Sequence, residues 1–143
     1  CWGLLKLYSL IEEIESTRTA RVLYCDTDSV IYTARENEST LMTGKFLGEL
    51  TNEFEENEMC TEAVFLGTKS YGLKLLIVPS GERKNVIKVK GITYNSQVER
   101  IVDFDHLKAL IRNLQQSTSV PQHLFYASKQ GQEIYSRETH KKL

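Results

Sequence analysis

Two aspartates separated by one residue, Asp26 and Asp28, follow the apolar run Val22-Leu23-Tyr24-Cys25 and precede another, Val30-Ile31-Tyr32. Crowding two carboxylates is costly unless a cation or hydrogen-bond donors compensate them. Residues two apart on a strand point the same way, so the pair is able to present both carboxylates to one hard divalent ion. Magnesium suits such an incomplete cage, because it keeps waters and takes further oxygens from a nucleotide's phosphates. On spacing alone, turn chemistry explains Asp-x-Asp equally well. The flanks favour a metal, since Tyr24-Cys25-Asp26-Thr27-Asp28-Ser29 offers no Gly or Asn for the positive φ that a two-residue hairpin turn wants.

A second pattern lies downstream. Lys69-Ser70-Tyr71 places a base and a phenol two apart on an expected strand, facing one side. Taken alone it reads as an ordinary half-exposed strand. Lys74, Lys88 and Lys90 extend the basic character, and solvated strand charge is the simpler reading of Lys74 and Lys88. The acids Glu49, Glu53, Glu55, Glu56, Glu58 and Glu62 run without a base among them, and then Lys69, Lys74, Arg83, Lys84, Lys88 and Lys90 face only Glu82. The net charge of −1 is therefore a sum over segregated halves, and it argues against a nucleic-acid binder held by bulk charge alone.

The elements that must position these groups follow from periodicity. Trp2, Leu5, Tyr8, Ile11 and Ile14 recur every three residues, with Leu4 and Leu7 beside them, which predicts an amphipathic helix over 2–15 with that stripe, Trp2 included, in the core. Arg21 to Cys25 and Ser29 to Thr33 read as a hairpin with the acids at its tip. Gly44 and Gly48 flank an apolar pair and predict tight backbone, and residues 52–58 form a helical turn or exposed loop. Thr61 to Leu66, Ser70 to Val78 and Asn85 to Val89 read as an antiparallel meander turning at Pro79-Ser80-Gly81-Glu82. Ile101, Phe104, Leu107, Ile111 and Leu114 predict one helical face from Val98 onward, N-capped by Asp103 or Asp105 and closed by Pro121. Leu124 to Ser128 and Glu133 to Thr139 pair as strands around Gln130-Gly131-Gln132. The order predicts an α+β fold with a largely antiparallel sheet and flanking helices.

Composition excludes several classes. The 143 residues are 41% hydrophobic and 26% charged, with no apolar run long enough to span a membrane and no secretory leader pattern. Cys1, Cys25 and Cys60 are odd in number and lack metal-ligand spacing, so a reduced intracellular chain is expected, with Cys25 a small buried residue on its strand. His106, His123 and His140 lie far apart with no nucleophile nearby and read as surface or capping residues.

Tyr24-Cys25-Asp26-Thr27-Asp28-Ser29 resembles the Tyr-x-Asp-Thr-Asp-Ser palm motif of family B DNA polymerases. Three further segments, in order, resemble the protein-primed, organellar and viral branch of that family. Gly44 to Glu53 is similar to its Gly-x-x-Leu-Gly-x-Leu-Thr-x-Glu segment, Lys69-Ser70-Tyr71 to its Lys-x-Tyr primer-end motif, and Val89-Lys90-Gly91-Ile92 to the Val-Lys-Gly-Ile that follows.

The resemblance implies a DNA-directed DNA polymerase working by phosphoryl transfer with two Mg2+ ions. Asp28 would ligate the metals directly and Asp26 would support the site, with Tyr24, Thr27 and Ser29 shaping the hairpin. Lys69, Tyr71 and Lys90 would hold the primer. Residues 1–97 would be the later half of a palm and residues 98–143 part of a thumb. The implied partners are DNA primer-template, dNTP, the remaining N-terminal part of the polymerase and a terminal priming protein, with no membrane. The implied setting is a nucleus, mitochondrion or viral factory.

The family's earlier palm aspartate motif, its fingers lysine motif and its exonuclease Asp-x-Glu have no counterpart in these 143 residues. They are therefore expected to be a fragment, inactive alone. Two other readings compete. A metal-dependent glycosyltransferase also uses Asp-x-Asp after an apolar strand, but it gives no reason for Lys69-Ser70-Tyr71 or Lys90-Gly91. A non-catalytic remnant of a mobile-element polymerase would keep the sheet without the chemistry.

Overall fold

The computed structural model describes residues 2–35, 41–113, 117–127 and 134–143, with side chains described for all of these except 125–127, 134 and 135. The chain divides into two compact units, Cys1–Glu56 and Asn57–Leu143. This is a division of packing, placed differently from the functional boundary at 97/98 that the resemblance implies.

In the first unit, helix α1 (Trp2–Ser16) leads into strands β1 (Arg21–Asp26) and β2 (Ser29–Thr33). Thr17 ends the helix by donating both its backbone N–H and its hydroxyl to the Ile14 carbonyl. Glu15 then accepts from the Val22 N–H at 2.9 Å, tying the last helical turn to β1. The strands pair antiparallel from Arg21↔Thr33 to Asp26↔Ser29, with a bulge between Val22 and Tyr24. Ile14, Ala20 and Leu41 form the core, with Leu10, Val22, Val30, Tyr32 and Leu50 packed around them.

The expected helix stripe needs correction. Leu7 and Ile14 are buried, whereas Trp2 is 88% exposed and Leu4, Leu5 and Tyr8 are mostly exposed. A strict three-residue repeat drifts by about 60° per step around a helix of 3.6 residues per turn. The chain of Trp2, Leu5, Tyr8 and Ile11 therefore winds off the face that Ile14 presents to the core. Cys25 is also exposed, because Val22, Tyr24 and Asp26 take the half-buried phase of β1 and leave Arg21, Leu23 and Cys25 on the outer one.

The glycines at 44 and 48 do mark tight backbone. Gly44 N–H donates to the Leu50 carbonyl at 2.8 Å, and Glu49 N–H to the Phe46 carbonyl at 3.0 Å. The Glu49 carboxylate accepts from the Phe46 N–H and lies where a side chain on Gly44 would have to go. Gly48 has φ 91, and its carbonyl receives the Lys6 ammonium of α1. Residues 52–57 are exposed or half-buried and form no regular element.

In the second unit, β3 (Glu58–Gly67), β4 (Ser70–Ile77) and β5 (Glu82–Lys88) form the expected antiparallel meander with β4 central. Val64, Gly72 and Ile87 are cross-strand partners on one face. Helix α3 (Phe104–Arg112) lies on that face so closely that a Cβ on Gly72 would stand 2.9 Å from Leu107 Cδ1 and 3.3 Å from Phe104 Cδ2. Val98, Val102, Phe104, Leu107 and Val120 complete the core. Strands β6 (Ser119–Ala127) and β7 (Ile134–Lys142) pair as a separate antiparallel ribbon.

The single helical face expected from Val98 is two helices. A short α2 (Ser96–Glu99), capped by Asn95, precedes α3, which is capped by Asp103 accepting from the His106 N–H at 2.7 Å. Ile101 falls in the turn between them and Ile111 faces outward, at 38% and 39% exposed, while Leu110 takes the inward place. The break follows from Asp103, whose carboxylate competes for amide hydrogens better as a cap than inside a helix. Pro121 does not end the segment but lies within β6 opposite His140. A two-stranded ribbon has only edges, so a strand residue without an N–H is tolerated there. The expected face residue Leu114 and the expected turn at 130–132 lie outside the described residues. The chain is thus α+β with antiparallel sheets, and none of its described helices is long and apolar enough to cross a membrane.

Candidate functional site

The six residues from Tyr24 to Ser29 occupy the end of one hairpin. Asp26 closes β1 opposite Ser29, and Thr27 and Asp28 make the reversal. Asp28 N–H donates to the Asp26 carbonyl at 2.6 Å, closing a three-residue turn about Thr27, whose φ is 49. Turns of this kind with positive φ are the rarer, strained class, and a β-branched residue adds to the cost. The Thr27 hydroxyl donates to Asp26 Oδ1 at 3.0 Å, and the Ser29 hydroxyl to the Asp26 carbonyl at 3.1 Å. The hairpin turn that the flanks argue against is formed all the same, with the positive φ taken by Thr27 in the absence of Gly or Asn. The two aspartates do not alternate along one strand as the spacing predicts: Asp26 ends β1 half-buried, and Asp28 stands exposed in the turn itself.

Lys69 also departs from expectation. It is not on the strand with Tyr71 but in the two-residue turn between Gly67 and Ser70, at φ 58. Gly67 at φ 152 and a bulge between Phe65 and Gly67 shift the end of β3 so that the reversal falls on Thr68 and Lys69. Tyr71 on β4 is buried, its ring 6.3 Å from that of Phe65 and 5.5 Å from the Lys88 ammonium.

Two sequence-distant segments meet at this sheet end. Lys88 is the cross-strand partner of Tyr71, and Lys90 N–H donates to the Ser70 hydroxyl at 3.1 Å. The Lys69-Ser70-Tyr71 and Val89-Lys90-Gly91 segments, about twenty residues apart in sequence, are thus laid edge to edge. The acid tip belongs to the first unit and this basic end to the second.

Part of the segregated charge is neutralised within the second unit. Lys84 pairs with Glu58 at 2.8 Å. Lys74 lies on the α3 face, 4.7 Å from the Phe104 ring centroid, and pairs with Glu62 at 3.5 Å and Asp105 at 3.9 Å. Hydrogen bonding from Lys108, with the attraction of Lys108 and Lys74, holds the Glu62 carboxyl below its ordinary range. Lys74 is therefore a packing residue and not part of a phosphate-facing strip. Burial pushes the Cys60 thiol above its usual value, leaving it a protonated, unreactive group. Burial, with Glu99 and Asp103 nearby, does the same to the Tyr94 phenol, which donates to the Val102 carbonyl at 2.8 Å.

Sequence reasoning missed Gln122. It is 2% exposed, accepts from the Thr93 N–H at 2.8 Å and donates to the Thr93 and Pro121 carbonyls. It pins the segment that follows Lys90-Gly91 to β6. The readable signal was its phase: Val120, Gln122 and Leu124 alternate along a strand, so a polar residue stands at an inward position.

Among the described residues, no group of three or more His, Cys, Asp or Glu side chains forms a metal centre. No family model, curated protein or solved structure matches the chain.

Proposed function

We propose that the chain is the later palm segment of a family B DNA polymerase of the protein-primed branch, with the start of a thumb, and that it serves template-dependent nucleotidyl transfer. The observation that carries the reading is the acid-tipped turn. A threonine held at φ 49 between two aspartates is a poor choice for a turn alone, since Gly or Asn would relieve the backbone. Strain retained at a residue flanked by two aspartates fits a site selected for its chemistry.

The donor set fits magnesium: both groups supply hard oxygens, and an exposed Asp28 leaves room for phosphate oxygens and water. When bound, the metal supplies charge neutralisation at the triphosphate and a lowered pKa at the primer 3′-hydroxyl. Asp28 takes the direct-ligand role. Asp26 supports it, with one oxygen already held by the Thr27 hydroxyl. Lys69 meets a primer phosphate and Lys90 continues the basic edge, while the buried Tyr71 backs them from β4 and is not itself presented to the terminal sugar as the motif implies.

Two ions about 4 Å apart need carboxylates from two walls, and these residues provide one. The 143 residues alone are therefore expected not to extend a primer. The test joins them to an upstream palm-and-fingers segment and measures labelled dNTP incorporation on a primed template. Incorporation that requires Mg2+ and is lost with Asp28→Ala supports the reading. Incorporation indifferent to Asp28, or Asp28-dependent binding of a sugar nucleotide in its place, refutes it.

A further inference from the structure

We propose that the outward face of α1 is a docking surface for a basic amphipathic helix of a partner protein, one whose contact face is apolar at one end and carries Lys or Arg at the other. The inference goes beyond the polymerase reading and does not rest on it.

The first two turns of α1 leave Trp2, Leu4, Leu5 and Tyr8 each more than half exposed, while Leu7 and Ile14 point to the core. Residues three, four and seven apart on a helix stand in one row. Leu5, Tyr8 and Glu12 therefore form one ridge of the outward face, and Trp2, Ser9 and Glu13 the next. Ser9 turns its hydroxyl back to the Leu5 carbonyl at 3.1 Å, so it adds little polarity to its row. One helical turn after Trp2, the Lys6 ammonium holds the Gly48 carbonyl, which brings the turn bearing the exposed Phe46 and Leu47 alongside the apolar end. Six large apolar side chains on adjoining elements are not scattered surface residues, and such clusters mark interaction sites.

Charge decides what fits. The first unit holds eleven acids against five bases, so a second copy laid on this face would set like charge on like, and a polyanion would be repelled. On the face itself, Glu12 and Glu13 follow the apolar turns, and among the described residues neither carboxylate is engaged by a cation or a donor. Glu15, beyond them, already accepts from the Val22 N–H. A helix that lies on a bilayer carries Lys and Arg along its polar face, whereas here the groups beside the apolar turns are carboxylates. A basic amphipathic helix answers both halves at once, with apolar anchors at helical spacing over Leu5 and Tyr8 and ammonium or guanidinium groups over Glu12 and Glu13. The fifteen residues of α1 offer about 22 Å of such a face, at 1.5 Å per residue.

Trp2 is the chain's single tryptophan, so its emission reports directly on this face. The probe is a tryptophan-free helical peptide of the length of α1, with Leu over two turns and Lys over the next, made in both sequence orders and titrated into the full 143-residue chain. One order should shift the Trp2 emission to the blue saturably, with an affinity that falls as salt rises. Leu5→Ala should weaken binding about 10-fold, the scale of a well-packed anchor. Glu12→Lys with Glu13→Lys should weaken it at least as much, and a peptide with Glu in place of Lys should restore binding to that variant. An absent shift, or binding indifferent to the charge exchange, overturns the proposal. So does a dimer of the chain alone in sedimentation that buries Trp2, or a blue shift with phosphatidylcholine–phosphatidylserine vesicles and none with peptide. Loss of fluorescein-labelled peptide binding once the chain is joined to an upstream polymerase segment would give the face to the enzyme's own chain and overturn it as well. None of these outcomes bears on Asp28-dependent incorporation.

Discussion

The β1–β2 and β3–β4 hairpins both reverse through two residues, and each places a non-glycine residue in the left-handed region, Thr27 at φ 49 and Lys69 at φ 58. Their foundations differ. The acid tip stands on a two-stranded ribbon, marginal by itself, whose place depends on α1 and the residues packed with Leu41 and Leu50. The basic tip grows from a three-stranded sheet with α3 pressed against its central strand. Under the proposed function, the metal-side carboxylates stand on the lighter support and the primer-side lysine on the heavier one. The same kind of reversal is thus built on two different foundations.

Substitutions can break this contrast at different depths. The largest effect is expected at the acid tip in the joined polymerase. Asp28→Asn should lower incorporation at least about 100-fold, the scale of removing one group that stabilises developing charge. Lys69→Ala in the same assay should raise the primer concentration needed for half-maximal rate far more than the dNTP concentration. Equal shifts in both would remove the functional distinction between the tips. Next comes the support of the basic end. Gly72→Val should destabilise the second unit by about 1–3 kcal/mol in urea unfolding, because the fully buried Leu107 has nowhere to retreat. No loss would show that α3 is not the close backing of β4.

Smaller effects separate the two turns from each other. Thr27→Gly should relieve left-handed strain and stabilise the first unit by up to ~1 kcal/mol, with Lys69→Gly giving less because lysine is not β-branched. The reverse order would locate the strain in the wrong hairpin. The mildest test concerns pH. Glu62 has a lowered folded pKa, so its contribution is fully present above the ordinary carboxylate value and is lost as pH falls through the folded one. Glu62→Gln should therefore flatten the acid limb of the urea midpoint against pH below about 4.5 and leave the shape near neutrality unchanged.

Much of the architecture was readable because it is local. The hairpin at 21–33, the meander expected over 61–89 and the Asp103 cap each follow from short runs and their punctuation, although the first strand begins three residues earlier, at Glu58. The misreadings arose where two local rules collided. A three-residue repeat placed Trp2 in the core, while the helix's own 3.6-residue turn carried it to solvent. Lys69 read as a strand residue because nothing in Thr68-Lys69 announces a turn. The bulge and Gly67 that move the reversal there are visible only once β3 is paired with β4. Pro121 read as a stop because its tolerance depends on the ribbon having no third strand. The acid pair was legible as residues and its strained turn was not, since positive φ at threonine is what sequence preference argues against. The contacts of the Lys90-Gly91 turn were invisible, as two hydrogen bonds join it to Ser70 and to Lys141, both far away in sequence.

The central strand β4 also sets a length. Its eight residues, at about 3.3 Å each, separate the Lys69 turn from the Pro79-Ser80-Gly81 turn by roughly 25 Å. That exceeds the roughly 10 Å over which charge is felt at ordinary ionic strength. The exposed Pro79–Gly81 turn is consequently the natural attachment point for a peptide tag, a fluorophore or a surface tether. A chain immobilised there would keep its Lys69 turn open for single-molecule recording of whether a primer binds.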